Sequence, residues 1–81
     1  MPTVHRFEGL RVVVYPNDHR PAHVHVVDGS EAVFELNCPD GPVALRENYG
    51  FRGGQIVRIE TELNGLIHVL CDAWSAIHGD H

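Results

Sequence analysis

The chain has 81 residues, of which 43% are hydrophobic and 21% are charged, and its formal net charge is −5 at pH 7. This composition is typical of one globular domain, which we expect to span residues 1–81. The acidic charge argues against sequence-independent binding of nucleic acid, although a local basic patch remains open. No apolar run approaches the roughly 20 residues that cross a bilayer, and no secretory signal is evident, so we expect a cytoplasmic protein.

The chain contains two cysteines, Cys38 in a proline-flanked turn and Cys71 in a helical pattern. Two cysteines make no disulfide framework, and free thiols are commonly buried in reducing compartments. We therefore predict two inert thiols. A domain of 81 residues is near the lower size limit at which a single hydrophobic core stabilises a fold. Additional stabilisation by a partner or a metal would therefore fit its length.

The first half of the chain has the pattern of an antiparallel sheet. Short stretches rich in β-branched or alternating apolar residues are separated by turn formers, at residues 6–15, 23–27, 31–36 and 43–45. The first stretch ends at Pro16, and residues 17–21 have the composition of a loop. The last stretch is short and suits an edge strand. We predict three or four strands.

The turn at Asp28-Gly29-Ser30 decides which side chains share a face. With a two-residue turn, His23 and His25 would point into the core. A three-residue loop instead places both histidines beside Glu31 and Glu35. It also groups one apolar set on the other face: Val24, Val26, Ala32, Phe34 and Leu36. Because a slip of one residue exchanges the faces, and only this register separates polar from apolar side chains, we predict the three-residue loop. The histidines then face away from the core.

After Gly53-Gly54 the pattern becomes helical. Apolar residues recur at steps of three and four: Ile56, Ile59, Leu63, Leu66, Ile67, Leu70, Trp74 and Ile77. An unbroken helix to about His78 would be roughly 39 Å long, whereas a domain of this size has a radius of gyration of about 12 Å. We therefore predict a helix that is bent or broken at Asn64-Gly65. The predicted fold class is α+β, with this C-terminal helix packed on one face of the sheet.

Three of the seven histidines lie within seven residues, at His19, His23 and His25. His23 and His25, two apart on a strand, project to one face and could share one ion, with His19 as a third ligand from the loop. A carboxylate could complete the shell or orient an imidazole, and the candidates are Asp18, Glu31 and Glu35. The cofactor would be a divalent transition metal such as Zn, Ni, Fe or Mn. The structural alternative is that these histidines only make hydrogen bonds at the sheet surface.

A second chemical hypothesis makes His23 and His25 a catalytic acid–base pair that cleaves RNA, one ring taking a proton and the other giving it. Arg11 or Arg20 would then hold the phosphate. The anion- or partner-binding candidates are Arg20, beside the histidines, and Arg52 and Arg58, near the N-terminal end of the helix. The acidic net charge and the absence of lysine count against a polyanionic substrate.

Five segments of the chain together resemble a known family: Met1-Pro2, Arg6-Phe7-x-Gly9, Tyr15-x-Asn17-Asp18-His19-x-Pro21-x-His23-x-His25-Val26, Asn48-x-Gly50-Phe51 and Leu70-x-x-Ala73-Trp74. They are similar to the small bacterial domain-of-unknown-function family 4160, and the resemblance covers nearly the whole chain. Relatives usually read Pro-Pro-His-Phe-His. Ala22 and Val24 replace the second proline and the phenylalanine here, which should alter the apolar side of the strand and leave the histidines in place.

The resemblance implies a small bacterial module with no established activity. Members of this family often occur beside a small protein of domain-of-unknown-function family 2442, in an arrangement that suggests toxin–antitoxin-like pairs. An interaction or regulatory module with a partner encoded in the same operon is therefore the first functional hypothesis. The alternative is a histidine-cluster catalyst, either a metal-dependent hydrolase or an acid–base ribonuclease, so whether the protein is an enzyme stays open. The apolar helical stripe is also wide enough to bind a second copy in a homodimer.

Overall fold

Five antiparallel strands form one open sheet in the computed structural model, which describes residues 3–79. The strands lie side by side in sequence order, and they are β1 (Thr3–Phe7), β2 (Leu10–Val13), β3 (His23–Asp28), β4 (Ser30–Glu35) and β5 (Ala44–Tyr49). Two helices, α1 (Gly53–Gly65) and α2 (Ile67–His78), share one hydrophobic core with one face of the sheet. The predicted α+β class is confirmed, although the predicted count of three or four strands is slightly low. Residues 1, 2, 80 and 81 of the predicted domain lie outside the described residues.

The additional strand arises from a turn inside the stretch at residues 6–15, which we had predicted to be one strand. The chain reverses at Glu8 and Gly9, whose φ angles are 49° and 80°. Two successive residues with positive φ are the requirement of the two-residue turn that joins tightly twisted antiparallel strands. Glutamate rarely adopts this conformation. Only Gly9 therefore marked the turn in the sequence.

The predicted register of β3 and β4 is confirmed. Asp28 pairs with Ser30 across Gly29, so odd-numbered residues oppose odd-numbered residues along the hairpin. The predicted apolar set is buried as a whole: Val24, Val26, Ala32, Phe34 and Leu36. The expectation that the histidines face away from the core is wrong for His23. Its side chain is buried, and its ring centroid lies 5.3 Å from that of Trp74, because this residue of α2 reaches the start of β3.

The predicted break in the long helix is confirmed. α1 ends at Gly65, Leu66 leaves the helical conformation with φ −117° and ψ 15°, and α2 begins at the next residue. Because of this break the fold is compact, with a radius of gyration of 11.4 Å. The side chain of Asn64 accepts a hydrogen bond of 2.8 Å from the backbone N–H of Val43, so the helix end is tied to the segment before β5. In the part of the chain that the structure describes, no helix has the length and apolarity needed to cross a membrane.

The turn between β5 and α1 depends on Asn48 and Gly50. The Asn48 side chain accepts a hydrogen bond from the Phe51 N–H and donates one to the Phe51 carbonyl, which holds the turn closed. Gly50 has φ 107°, and a Cβ atom there would lie 2.6 Å from the Ser30 hydroxyl oxygen. Only glycine fits this position without moving its neighbour. The turn delivers the buried Phe51 ring to the core beneath α1.

A disulfide bond joins Cys38, in the turn after β4, to Cys71 of α2. The prediction of two inert thiols is therefore wrong. The two residues are 33 positions apart in the sequence, and two cysteines alone do not reveal whether the fold brings them together. Covalent attachment of α2 to the sheet suits a domain whose core is small.

Loss of this disulfide should lower the stability of the fold. For a closed loop of this length, the constraint on the unfolded chain corresponds to about 3 to 4 kcal/mol in the free energy of unfolding. The measurement is urea denaturation of the protein with and without a reductant. The double variant Cys38→Ala/Cys71→Ala should match the reduced protein and should not respond to the reductant. A midpoint that reduction leaves unchanged would contradict the prediction.

Candidate metal centre

The loop between β2 and β3 returns Asp18 to the beginning of β3. The backbone N–H of Asp18 donates to the carbonyl of Tyr15 at 3.1 Å, which closes a turn with Pro16 and Asn17 at its centre. Proline and asparagine favour these central positions because proline fixes φ and asparagine tolerates the turn conformation. The turn therefore directs the Asp18 carboxylate towards the side chains that β3 presents, those of His23 and His25.

Three side-chain atoms converge at this point. The Oδ2 atom of Asp18 is 3.1 Å from Nε2 of His23 and 3.0 Å from Nε2 of His25. One ligand atom from each of the three residues lies within 4.8 Å of the other two. Metal–ligand bonds of about 2.1 Å at the roughly 90° to 109° angles of octahedral and tetrahedral centres place ligand atoms about 3.0 to 3.4 Å apart. The two nitrogen–oxygen distances lie at the short end of this range and are also those of hydrogen bonds, so the group is a candidate metal centre with two imidazoles and one carboxylate.

The Nδ1 atom of each imidazole, the nitrogen that does not face Asp18, has a hydrogen-bonding partner of its own. Nδ1 of His23 donates to the carbonyl oxygen of Pro21 at 2.8 Å, and Nδ1 of His25 lies 2.8 Å from Oε2 of Glu31. Metal-binding histidines usually have such a carbonyl or carboxylate partner, which fixes the ring and directs the opposite lone pair to the ion. The Asp18 side chain is 23% exposed and the imidazoles are 7% and 15% exposed, so the three groups are largely screened from water.

The hydrogen-bonding pattern calls for a positive charge between these groups. A carbonyl oxygen can only accept, so Nδ1 of His23 carries a hydrogen and Nε2 of the neutral ring presents a lone pair to the Asp18 oxygen. Both nitrogens of His25 face carboxylates. A proton or a metal ion must therefore lie between each Nε2 atom and Asp18. A proton at each Nε2 atom or one divalent cation supplies that positive charge.

Aromatic rings restrict the imidazoles further. Tyr15 contacts His25 edge-on, with ring centroids 4.5 Å apart, and Trp74 lies against His23. His78 in turn stacks on Trp74 with centroids 3.8 Å apart. Side chains packed in this way keep their rotamers, so the two imidazoles are oriented before any ligand arrives.

The sequence profile of a protein family, described as a domain of unknown function (DUF4160), matches residues 9–75. The chain belongs to the DUF4160 family. The matched segment contains every residue of the candidate metal centre, from Asp18 to Glu31, and also Trp74. No curated protein and no solved structure matches the chain.

This DUF4160 domain brings together only part of the ligand set predicted from sequence. His23 and His25 meet as predicted, but His19 is exposed and lies outside the group of three. Asp18, expected to orient an imidazole, supplies the third converging atom. Glu31 orients His25, whereas the side chain of Glu35, which is paired with His23 in the sheet, makes no hydrogen bond or ion pair within the described residues.

The three arginines predicted to bind an anion or a partner lie in different parts of the domain. Arg20 is exposed in the loop that carries Asp18. Arg52 is the N-terminal cap of α1, where its backbone N–H donates to the Gln55 side chain at 3.0 Å. Arg58 forms an ion pair with Glu8 of the β1–β2 turn, so the chain itself provides its anion. Anion binding by these arginines stays a prediction.

Replacement of Glu31 by glutamine should lower the affinity for a divalent metal about 10- to 100-fold, because the amide no longer accepts the charge-assisted hydrogen bond that orients His25. Glu35→Gln is the matched control. Glu35, like Glu31, lies two positions from Val33, the cross-strand partner of His25, so this variant removes the same charge without removing a contact with an imidazole. The measurement is titration with Zn²⁺ against a competing chelator. Fluorescence of Trp74, the one tryptophan of the chain, reports occupancy. Equal affinities of the two variants would contradict the assigned role of Glu31.

Proposed function

We propose that this protein binds a divalent transition metal through Asp18, His23 and His25. The observation that supports this function is the convergence of two Nε2 atoms on one carboxylate oxygen, with the Nδ1 atom of each ring already engaged. Imidazole and carboxylate ligands suit Zn, Fe, Mn and Ni, the metals considered from the sequence. Two histidines and one carboxylate with further positions open are typical of Fe(II) centres, and tetrahedral Zn centres use the same ligands.

The proposed centre is open. Three protein ligands leave at least one coordination position for water or a substrate, whereas structural zinc sites use four protein ligands. A metal in such a site supplies Lewis acidity and lowers the pKa of a bound water, which is the basis of metal-dependent hydrolysis. The same geometry argues against a metal-free acid–base ribonuclease. That mechanism needs an imidazole nitrogen free to face the substrate, and both nitrogens of each ring already contact an acceptor.

The three proposed ligands can be tested against His19. Asp18→Asn, His23→Gln and His25→Gln should each weaken metal binding at least tenfold, because each removes one of three bonds to the ion. His19→Gln should bind as the unaltered protein does. The measurement is elemental analysis of untagged protein purified without chelators, followed by Zn²⁺, Mn²⁺, Ni²⁺ and Fe²⁺ titrations. Thermal unfolding of each variant controls for loss of fold, which matters most for the buried His23.

Two results would contradict the proposal. One is a protein that contains no metal and takes up none of the four ions on titration. The other is a folded Asp18→Asn or His25→Gln variant with unaltered metal affinity. About one equivalent of a single metal, lost in the three ligand variants and retained in His19→Gln, is the expected outcome.

We also propose that the domain belongs to a toxin–antitoxin-like pair and that its protein partner adds a strand to β5. β5 is one of the two edge strands of the sheet, and its side chains are exposed except for the half-buried Glu47. Edge strands offer unpaired backbone groups to a partner strand. Leu45 and Tyr49, 41% and 61% exposed, add apolar surface there. The hydrogen bond to Glu47 raises the pKa of the Tyr49 phenol, and the charge of Glu47 acts in the same direction.

A homodimer through the apolar helical stripe has less support from the fold, because α1 and α2 bury that stripe against the sheet. Among the described residues, the large hydrophobic side chains left exposed on the helices are Val57 and Val69. β5 is therefore the better surface for a second copy as well as for a different partner.

The pair Leu45→Lys/Tyr49→Lys should abolish co-purification of a co-expressed small protein of domain-of-unknown-function family 2442, and any dimer seen by sedimentation equilibrium should dissociate. The added charges repel an incoming strand and remove the apolar contact. Val57→Lys/Val69→Lys is the matched control, because it adds the same charge on exposed helical surface. Equal loss in both double variants, or no loss in the β5 variant, would contradict β5 as the interface.

A further inference from the structure

Two arginines stand side by side on the sheet face opposite the helices. Arg6 of β1 and Arg11 of β2 are direct cross-strand partners. Val12, the residue after Arg11, is buried in the core, and successive side chains of a strand alternate between faces. Arg11, and with it Arg6, therefore projects away from α1 and α2. Arg6 is exposed and Arg11 is half-buried.

Among residues 3–79, no acidic side chain forms an ion pair with either charge. Like charges directly opposite one another destabilise a pair of strands. Two of the acidic groups nearby have other partners, since Glu8 pairs with Arg58 and Glu31 contacts His25. An arrangement that costs stability and has no partner of its own is the arrangement expected of a binding site.

The two arginines line an open depression of about 300 Å³. Its lining residues are Arg6, Gly9, Arg11, Val27, Asp28 and Gly29. The two glycines belong to the β1–β2 and β3–β4 turns, and nothing lies within 4 Å of the position that a Cβ atom would take at either one. Asp28 contributes the one carboxylate of the lining, but it is not within ion-pair distance of either arginine.

We propose that Arg6 and Arg11 bind a phosphate group, either inorganic phosphate or a small phosphate monoester. A guanidinium forms paired hydrogen bonds with phosphate oxygens. Two guanidinium charges also match the −1.5 to −2 that a phosphate monoester carries at about pH 7. The net charge of −5 repels a long polyanion, so the ligand is small. The site is independent of the proposed metal centre.

The test is calorimetric titration of inorganic phosphate and of methyl phosphate into the full chain, with a chelator present and at constant ionic strength. We expect saturable binding, at least tenfold weaker in Arg6→Gln and in Arg11→Gln. Asp28→Asn should bind more tightly, because it removes the carboxylate from the depression. Arg46→Gln is the control, since this exposed arginine has its own acidic neighbour, Glu47 at 3.8 Å. A preference between the two probes identifies the free anion or the ester as the ligand.

Thermal unfolding separates binding from a structural role. Without phosphate, the Arg6→Gln and Arg11→Gln variants should be at least as stable as the unaltered protein, because the repulsion is gone. Phosphate should raise the unfolding midpoint of the unaltered protein and of Arg46→Gln, but not of these two variants. The proposal is overturned if phosphate does not bind saturably or if all three arginine variants respond alike. It is also overturned if an RNA decamer without terminal phosphates binds more tightly than either probe at the same ionic strength.

Discussion

The pairing of β3 with β4 is the constraint on which both the core and the candidate site depend. Because Asp28 opposes Ser30, the even-numbered residues from Val24 to Phe34 face the helices and the odd-numbered residues lie on the other side, except that the ring of His23, at the start of β3, also contacts Trp74 of α2. A shift of one residue would place valines in water and an imidazole–carboxylate cluster among Ile59, Leu63 and Leu70, at a cost that a domain of this size could not sustain. The register that allows a core therefore also gathers the polar chemistry on the opposite face.

The candidate metal centre combines a rigid part with an adaptable part. His23 and His25 are fixed by strand pairing, by their Nδ1 contacts and by aromatic neighbours. Asp18 sits on a loop that is secured by the hydrogen bond to Tyr15. Two ligands are therefore positioned by the sheet, while the third can adjust by small changes of the loop to the bond lengths of different ions. For the metal binding proposed above, such a division would make the choice of ion depend on supply and coordination preference more than on the sheet itself.

The features predicted from the sequence are those with a local pattern. Alternation identified the β3–β4 faces, and the three-to-four spacing with Asn64-Gly65 identified a broken helix. The features that were missed depend on the three-dimensional fold rather than on a local sequence pattern. Glu8 adopts a left-handed conformation that its residue type does not indicate, and the partner of Cys38 is set by the packing of α2.

The candidate metal centre was likewise predictable only where its residues form a local pattern. The spacing of His23 and His25 places them on one face, but the approach of Asp18 depends on the path of the loop. Glu31 and Glu35 are both diagonal neighbours of His25, because each lies two residues from its partner Val33. The sequence offers no means to choose between them. The twist of the sheet brings one diagonal neighbour closer than the other, and Glu31 is the one that makes contact.

The Cys38–Cys71 bond has a consequence for how the molecule bears load. The 33-residue separation encloses β5 and α1 entirely within a covalent loop. A pull on the two chain ends is carried across the sulfur–sulfur bond, so it can peel away β1 to β4 and the end of α2, while β5 and α1 feel no tension. A single backbone cut inside the loop likewise leaves both fragments joined. The edge strand proposed to receive a partner is thus the one strand outside the covalent path between the chain ends, and a cut within it does not divide the protein into two separate molecules.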